Sequence, residues 1–188
     1  MDDWRSAWRP MVEAIGRDFG DDAVTLGADA IEAGAIRRWA EPLELASGLH
    51  HDRDTAQAHG YADIVAPYIA GMSFSVPAMW RPGDDTLYAD ADPNGQPERT
   101  PIGNPEIELA PPTSAYFATE MSIEFVRPAV VGERVGRRGR TLVGCEPKQT
   151  SVGRGAFLTW QTEVVTDQGE VIARIRTGTY AYNPDATD

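Results

Sequence analysis

Cysteine is nearly missing from this chain. Cys145 stands alone, so no disulfide can close within it, and a reducing cytoplasm is the expected compartment. Positive charge is scarce as well: 17 Lys and Arg against 29 Asp and Glu leave a net charge of −12. A balance that acidic argues against nucleic acid or an anionic membrane surface as the main partner. Long apolar runs are lacking. The most apolar stretch, 64–80, is interrupted by Pro67, Ser73, Ser75 and Pro77, which excludes a membrane span. No basic start leads into an apolar run, so no secretory signal is expected. His50, His51 and His59 are the three histidines, with no third ligand at a suitable spacing, so neither a metal site nor a cofactor is expected. Internal repeats and low-complexity tracts are absent too.

What remains is a globular composition, 41% apolar and 24% charged over 188 residues, enough for one domain with a sizeable core. Residues 1–22 carry Trp4, Trp8 and a short amphipathic turn at 11–15, read as a helical arm packed on the body or on a partner. Ile36, Trp39, Ala40 and Leu43 recur on one helical face, and Pro42 should kink or end that helix. Asp52 is placed to cap a short helix that Gly60 closes. A long apolar helix is then expected over 64–80, with Pro67 in its first turn and burial on most sides.

The second half reads as strands. Met121, Ile123 and Phe125 alternate with Glu120, Ser122 and Glu124, which predicts one buried and one wet face. Leu158, Trp160, Thr162 and Val164 alternate in the same way. A further strand is expected over 133–144, and Asp167-Gln168-Gly169 is a hairpin turn leading into 171–182. One helix followed by a run of strands argues for an α+β fold with an antiparallel sheet. Residues 81–113 hold seven of the 14 prolines and no periodicity. They are read as an insertion, either a lid or binding loop or a surface segment.

The stretch 36–69, IRRWAEPLELASGLHHDRDTAQAHGYADIVAPYI, resembles the MaoC-like hydratases and dehydratases of the hot-dog fold. It is most similar to the dehydratase-type half-domain that lies N-terminal in two-domain members. The resemblance covers most of 24–184 and implies an antiparallel sheet wrapped around a long central helix. It also implies a single MaoC-like hot-dog domain over 1–188. Such enzymes add water to, or remove it from, the 2,3 bond of an enoyl thioester. The reaction needs a base for water, an acid for the α-carbon and donors for the enolate oxygen.

The family's loop, Gly-Asp-x-Asn-Pro-Leu-His, aligns its Leu-His with Leu49-His50, so the resemblance puts His50 on the catalytic histidine. The aspartate position holds Leu45, which cannot accept a proton or orient water; Glu44 is the neighbouring carboxylate. Pro67 stands where catalytic members place a glycine, and proline has no N–H to donate. The resemblance puts Pro67, Tyr68 and Gly71 on the substrate side of the expected central helix. Among Arg137, Arg138, Arg140, Lys148 and Arg154, the resemblance makes Arg138, Arg140 and Arg154 candidates for the phosphates of coenzyme A. The alternative for each is a charge guarding an exposed strand edge. Arg127-Pro128 with Gly132-Glu133 matches a family turn and bears on the fold. Cys145 is read as a core or strand residue.

Loss of both base and donor implies an acyl-binding, catalytically incomplete subunit of an enoyl-CoA hydratase or 3-hydroxyacyl-thioester dehydratase. Its expected partners are an acyl-CoA or acyl carrier protein thioester and a second MaoC-like hot-dog chain in a heterodimer. Two alternatives stand beside it: a self-sufficient homodimeric hydratase using His50, or a non-catalytic thioester-binding protein.

Overall fold

In the computed structural model, residues 3–20, 23–88, 95, 97 and 108–184 are described. The strands are β1 (Thr25–Leu26), β2 (Ala115–Phe125), β3 (Val135–Thr150), β4 (Gly153–Thr166) and β5 (Val171–Asn183). They form one antiparallel sheet in the order β1-β3-β4-β5-β2. β3, β4 and β5 follow one another through tight hairpins, as the alternating sequence with its Asp167-Gln168-Gly169 turn dictates. β2 comes earliest of the long strands yet pairs with β5, at the margin of the sheet.

Leu158, Trp160 and Val164 point from one face of β4, and two apolar clusters cover that face. Ile31, Ile36, Ala66, Val135, Val164, Ile172 and Ile175 make the first. Ile36 belongs to α2 (Ala33–Ala40), whose apolar stripe supplies the contact. The second gathers Trp8, Met11, Leu142, Leu158 and Trp160. Trp8 ends a 3-10 turn begun at Trp4, and Met11 lies in α1 (Arg9–Glu13). The N-terminal arm therefore packs on the body of this same chain. Asp18 bridges to Thr141 and extends the contact along β3.

The α+β hot-dog architecture is as expected, with two corrections. No long helix occupies 64–80; α4 is Ala70–Phe74. Residues 64–66 are used instead as a bridge to 129–131, through Ala66 N–H to Ala129 O at 2.8 Å and Val131 N–H to Ile64 O at 3.0 Å. Pro67 separates that extended piece from the helix. Pro77 disfavours helical backbone at Val76 and closes the other end. Gly27 packs so tightly under α4 that a Cβ there would lie 2.0 Å from the Phe74 carbonyl oxygen, which places β1 directly beneath the helix.

A second expectation fails at β2. Met121 and Phe125, read as the buried face, are 54% and 41% exposed. α4 is too short to cover a marginal strand. Of the Pro-rich insertion, most of 89–107 lies outside the described residues, while Leu109 and Ala110 return onto the Trp8 cluster. Cys145 sits half-buried in β3, and burial pushes its thiol up to about 11, out of reach of nucleophilic chemistry at neutral pH.

Candidate functional site

The histidine loop begins where α2 ends. Pro42 stops the helix after Ala40, a 3-10 turn spans Glu41–Leu43, and Glu44 takes left-handed backbone at φ +50°. Leu45 N–H then returns to Ala40 O at 3.2 Å. A second tight turn, Gly48–His50, delivers the histidine. His50 Nδ1 lies 2.7 Å from Val65 O, and Val65 N–H donates to Leu49 O at 2.9 Å. A carbonyl oxygen only accepts, so Nδ1 carries the hydrogen and Nε2 is left as the free nitrogen. Among the described residues no carboxylate is bonded to His50. Leu45 is beside this loop, and Glu44 points its exposed side chain to solvent with no partner among the described residues.

The other two histidines serve the loop. His51 Nε2 meets Leu45 O at 2.7 Å, and His59 Nδ1 meets Thr55 O at 2.8 Å at the end of α3 (Arg53–Ala58). Asp52 caps α3 as expected, accepting Thr55 N–H and Oγ1–H, both at 2.7 Å. Those bonds hold its carboxyl below the usual range, the hydroxyl bond contributing most. Among the described residues no cluster of His, Cys, Asp and Glu could hold a metal ion.

Pro67 is buried between the 64–66 bridge and α4, and its carbonyl accepts Ala70 N–H at 2.9 Å. Tyr68 is half-exposed and lays its ring 5.0 Å from that of Phe125. Gly71 is buried against Ile172. Tyr68 and Gly71, with Met72, Ile123, Phe125 and Ile172, line an apolar cleft between α4 and the sheet. Its interior room is about 10 Å³, the space of roughly one water. That room is too small for an acyl chain.

The arginines do not converge. Arg138 pairs with Glu163 at 2.7 Å. Arg140 lies 4.2 Å over the Trp160 ring, and its partial burial lowers its pKa. Arg154 is exposed at the opposite end of β4, paired in register with Gln149. Nine residues of strand separate Arg154 from Glu163, roughly 30 Å. Arg137 is turned toward α4, where it donates to Ser75 Oγ at 3.0 Å and Met72 O at 3.2 Å.

Residues 13–175 match a family described as FAS1-like, dehydratase domain region. The chain belongs to this family. The match agrees with the MaoC-like hydratase superfamily to which Leu49-His50 pointed. A probable enoyl-CoA hydratase alpha subunit from Thermomonospora curvata is 25% identical over 175 residues, which is 93% of this chain and 51% of that protein. The chain thus spans about half the length of its curated relative. Among solved structures, a chain of the ChsH1-ChsH2 complex from Mycobacterium tuberculosis superposes with a TM-score of 0.63 at 19% identity, covering 100% of both. The MaoC-like dehydratase from Rhodospirillum rubrum gives 0.53 at 15% identity, over 89% of this chain and 94% of that one. Both likenesses establish the hot-dog fold. No helix among the described residues is long and apolar enough to cross a membrane.

Sequence reasoning assigned Arg127 to the fold without a role in this dehydratase-family site. The structure gives it one. Arg127 donates to Glu133 at 2.8 and 3.0 Å and to Glu170 at 2.6 and 2.9 Å. These bonds raise its pKa further, Glu170 first and Glu133 next. Glu133 also accepts Val130 N–H at 3.0 Å. The ion triad therefore sets the 127–133 turn, which holds 64–66, which in turn holds His50. The Arg-Pro and Gly-Glu pattern was visible in the sequence; Glu170, 43 residues away, was not.

Proposed function

We propose that this chain is the acyl-binding, catalytically incomplete subunit of an enoyl-thioester hydratase or 3-hydroxyacyl-thioester dehydratase, paired with a second hot-dog chain that carries the Asp/His couple. The observation carrying this reading is the state of His50. Its Nδ1 is committed to Val65 O, and the position that a water-activating carboxylate would fill holds Leu45. An imidazole without that carboxylate lacks the partner that shares the work of moving protons to and from water and the α-carbon. The cleft supports the same conclusion, since a space for about one water needs a second wall before it becomes a tunnel.

In that assembly Pro67, Tyr68 and Gly71 form one wall of the acyl tunnel. Arg154 has no ion pair among the described residues, which makes it the available cation for a carrier phosphate. Arg138 is paired with Glu163, and Arg140 is spread on Trp160. The alpha-subunit name of the Thermomonospora relative and the two-protein complex of the Mycobacterium neighbour support a hetero-oligomer. The test is hydration of a panel of trans-2-enoyl-CoA thioesters by the purified chain, alone and with a co-expressed hot-dog partner. Silence alone and turnover together is the expected result.

The free Nε2 of His50 favours one second reading, a homodimeric hydratase that uses His50 with Glu44 or Asp52. Turnover by the chain alone, abolished in His50→Ala, would establish it. A partner that is fully active without this chain would overturn the leading reading.

A further inference from the structure

Tyr68, Gly71, Met72 and Ser75 recur at helical spacing, so α4 and the turn before it set them on one face. Gly71 is the gap in that face. It is buried, yet a Cβ there would meet nothing outside α4 closer than Ile172 Cδ1, at 3.9 Å. With Ile123, Val164 and Ile172 it floors the cleft between α4 and the sheet. Tyr68 and Phe125, 48% and 41% exposed, stand at the mouth of that cleft. Their rings lean together at 5.0 Å and shut it.

The mouth is held weakly. The Tyr68 hydroxyl has no hydrogen bond among the described residues, so the ring pair is its main hold. Such a pair contributes a factor of roughly two to ten. The Tyr68 carbonyl accepts Gly71 N–H at 3.3 Å, which fixes the backbone and leaves the side chain to change rotamer. Each methylene that enters an apolar slot gains roughly fourfold. Two methylenes therefore outweigh the ring pair.

The slot also has no spare polar group. Arg127 is the charged residue of its lining, and a guanidinium has five N–H donors. All five are taken: two bonds to Glu170, two to Glu133 and one to Pro128 O, between 2.6 and 3.0 Å. The other lining side chains behind Tyr68 are apolar. A hydroxyl or keto oxygen carried past Tyr68 would leave water and meet no donor, a penalty of roughly tenfold or more.

We propose that Tyr68 is a specificity gate. Its ring swings off Phe125 to admit the hydrocarbon end of an acyl thioester beside Gly71, and the slot behind it turns away acyl groups that carry a distal oxygen. This inference rests on the acyl-binding reading above; it names the residue that controls entry and the class of acyl group selected.

The slot lies within this chain, so the purified chain is enough for the test. α4 is five residues long, roughly 7.5 Å, and a short acyl probe suits it. Isothermal titration compares coenzyme A, hexanoyl-CoA and 6-hydroxyhexanoyl-CoA. Hexanoyl-CoA should bind tighter than coenzyme A, and the hydroxylated thioester roughly tenfold or more weaker than hexanoyl-CoA. Tyr68→Ala, which removes the gate, should tighten hexanoyl-CoA by roughly two- to tenfold, and Tyr68→Phe, which keeps the ring, should restore the wild-type value. Gly71→Ala puts a methyl on the floor and should weaken hexanoyl-CoA by roughly fourfold. Circular dichroism checks that each variant is folded. Equal affinity for the two acyl thioesters overturns the proposal, as does a Tyr68→Ala chain that binds hexanoyl-CoA no tighter than wild type. Either result leaves the acyl-binding reading standing. Hexanoyl-CoA that binds no tighter than coenzyme A overturns both.

Discussion

His50 Nδ1 and Val65 O, 15 residues apart, meet at 2.7 Å. The bond fastens the histidine loop to the extended piece that leads into α4. Substituting His50→Ala removes the donor and leaves a part-buried carbonyl unpaired, at a cost of about 1 kcal/mol. For a chain of this size that lowers Tm by about 2–4 °C, readable by differential scanning calorimetry. If the chain is the incomplete subunit proposed above, the expected loss of turnover in its complex is under about tenfold, against the 10²–10⁴-fold typical for removing a working acid or base. Steady-state kinetics of the complex separates the two roles.

Arg127 reaches the same loop through Glu133 and the 64–66 bridge. Arg127→Ala leaves two carboxylates without their shared cation and frees the 127–133 turn. The destabilisation should be about 2 kcal/mol, since hydrogen bonds to charged groups contribute about 1.5–3 kcal/mol. The sharper signature is local. Hydrogen exchange at the amides of Ala66 and Val131, which cross between the two segments, should accelerate more than exchange in β4.

Asp52 makes the α3 cap sensitive to acid. Its folded pKa lies below the ordinary 3.8, through Thr55. A depressed carboxyl contributes stability that is complete above the unfolded pKa and lost as pH falls through the folded one. α3 should therefore loosen below about pH 4 and be indifferent to pH between 5 and 7. Asp52→Asn keeps an acceptor for Thr55 N–H but cannot titrate. Its melting curves should lose this portion of the acid dependence, as pH-stepped thermal unfolding will show.

Trp8 anchors the N-terminal arm, at 3% exposure within the Met11, Leu142 and Trp160 cluster. Trp8→Ala should cost about 3–5 kcal/mol, in line with aromatic deletions in packed cores. Trp160 should become more exposed at the same time. Acrylamide quenching of the remaining tryptophans measures that exposure, and denaturant unfolding measures the cost.

Local pattern carried much of this protein. The alternation in 153–166 and 171–183, joined by Asp167-Gln168-Gly169, is enough to specify two strands and their hairpin, because side chains of a strand alternate between two environments whatever lies beyond. Asp52 as a cap and Pro42 as a helix stop are likewise legible, since both act within a few residues. Leu45 and Pro67 are plain from their chemistry alone: one cannot take a proton, the other cannot donate an N–H.

Tertiary structure decided the rest. The apolar run 64–80 looks like a buried helix until 129–131 arrives to bond with 64–66, a competition that no local propensity describes. Met121 and Phe125 are patterned for burial, yet the strand order leaves them on a margin that α4 is too short to cover. Arg138 and Arg154 seem clustered along the chain, while the register of β4 sets them about 30 Å apart. Glu170 joins Arg127 across 43 residues, and His50 finds Val65 because a turn carries it there. Each of these outcomes depends on which distant segment wins a shared hydrogen bond or a shared face, and that is settled only when the whole sheet has formed.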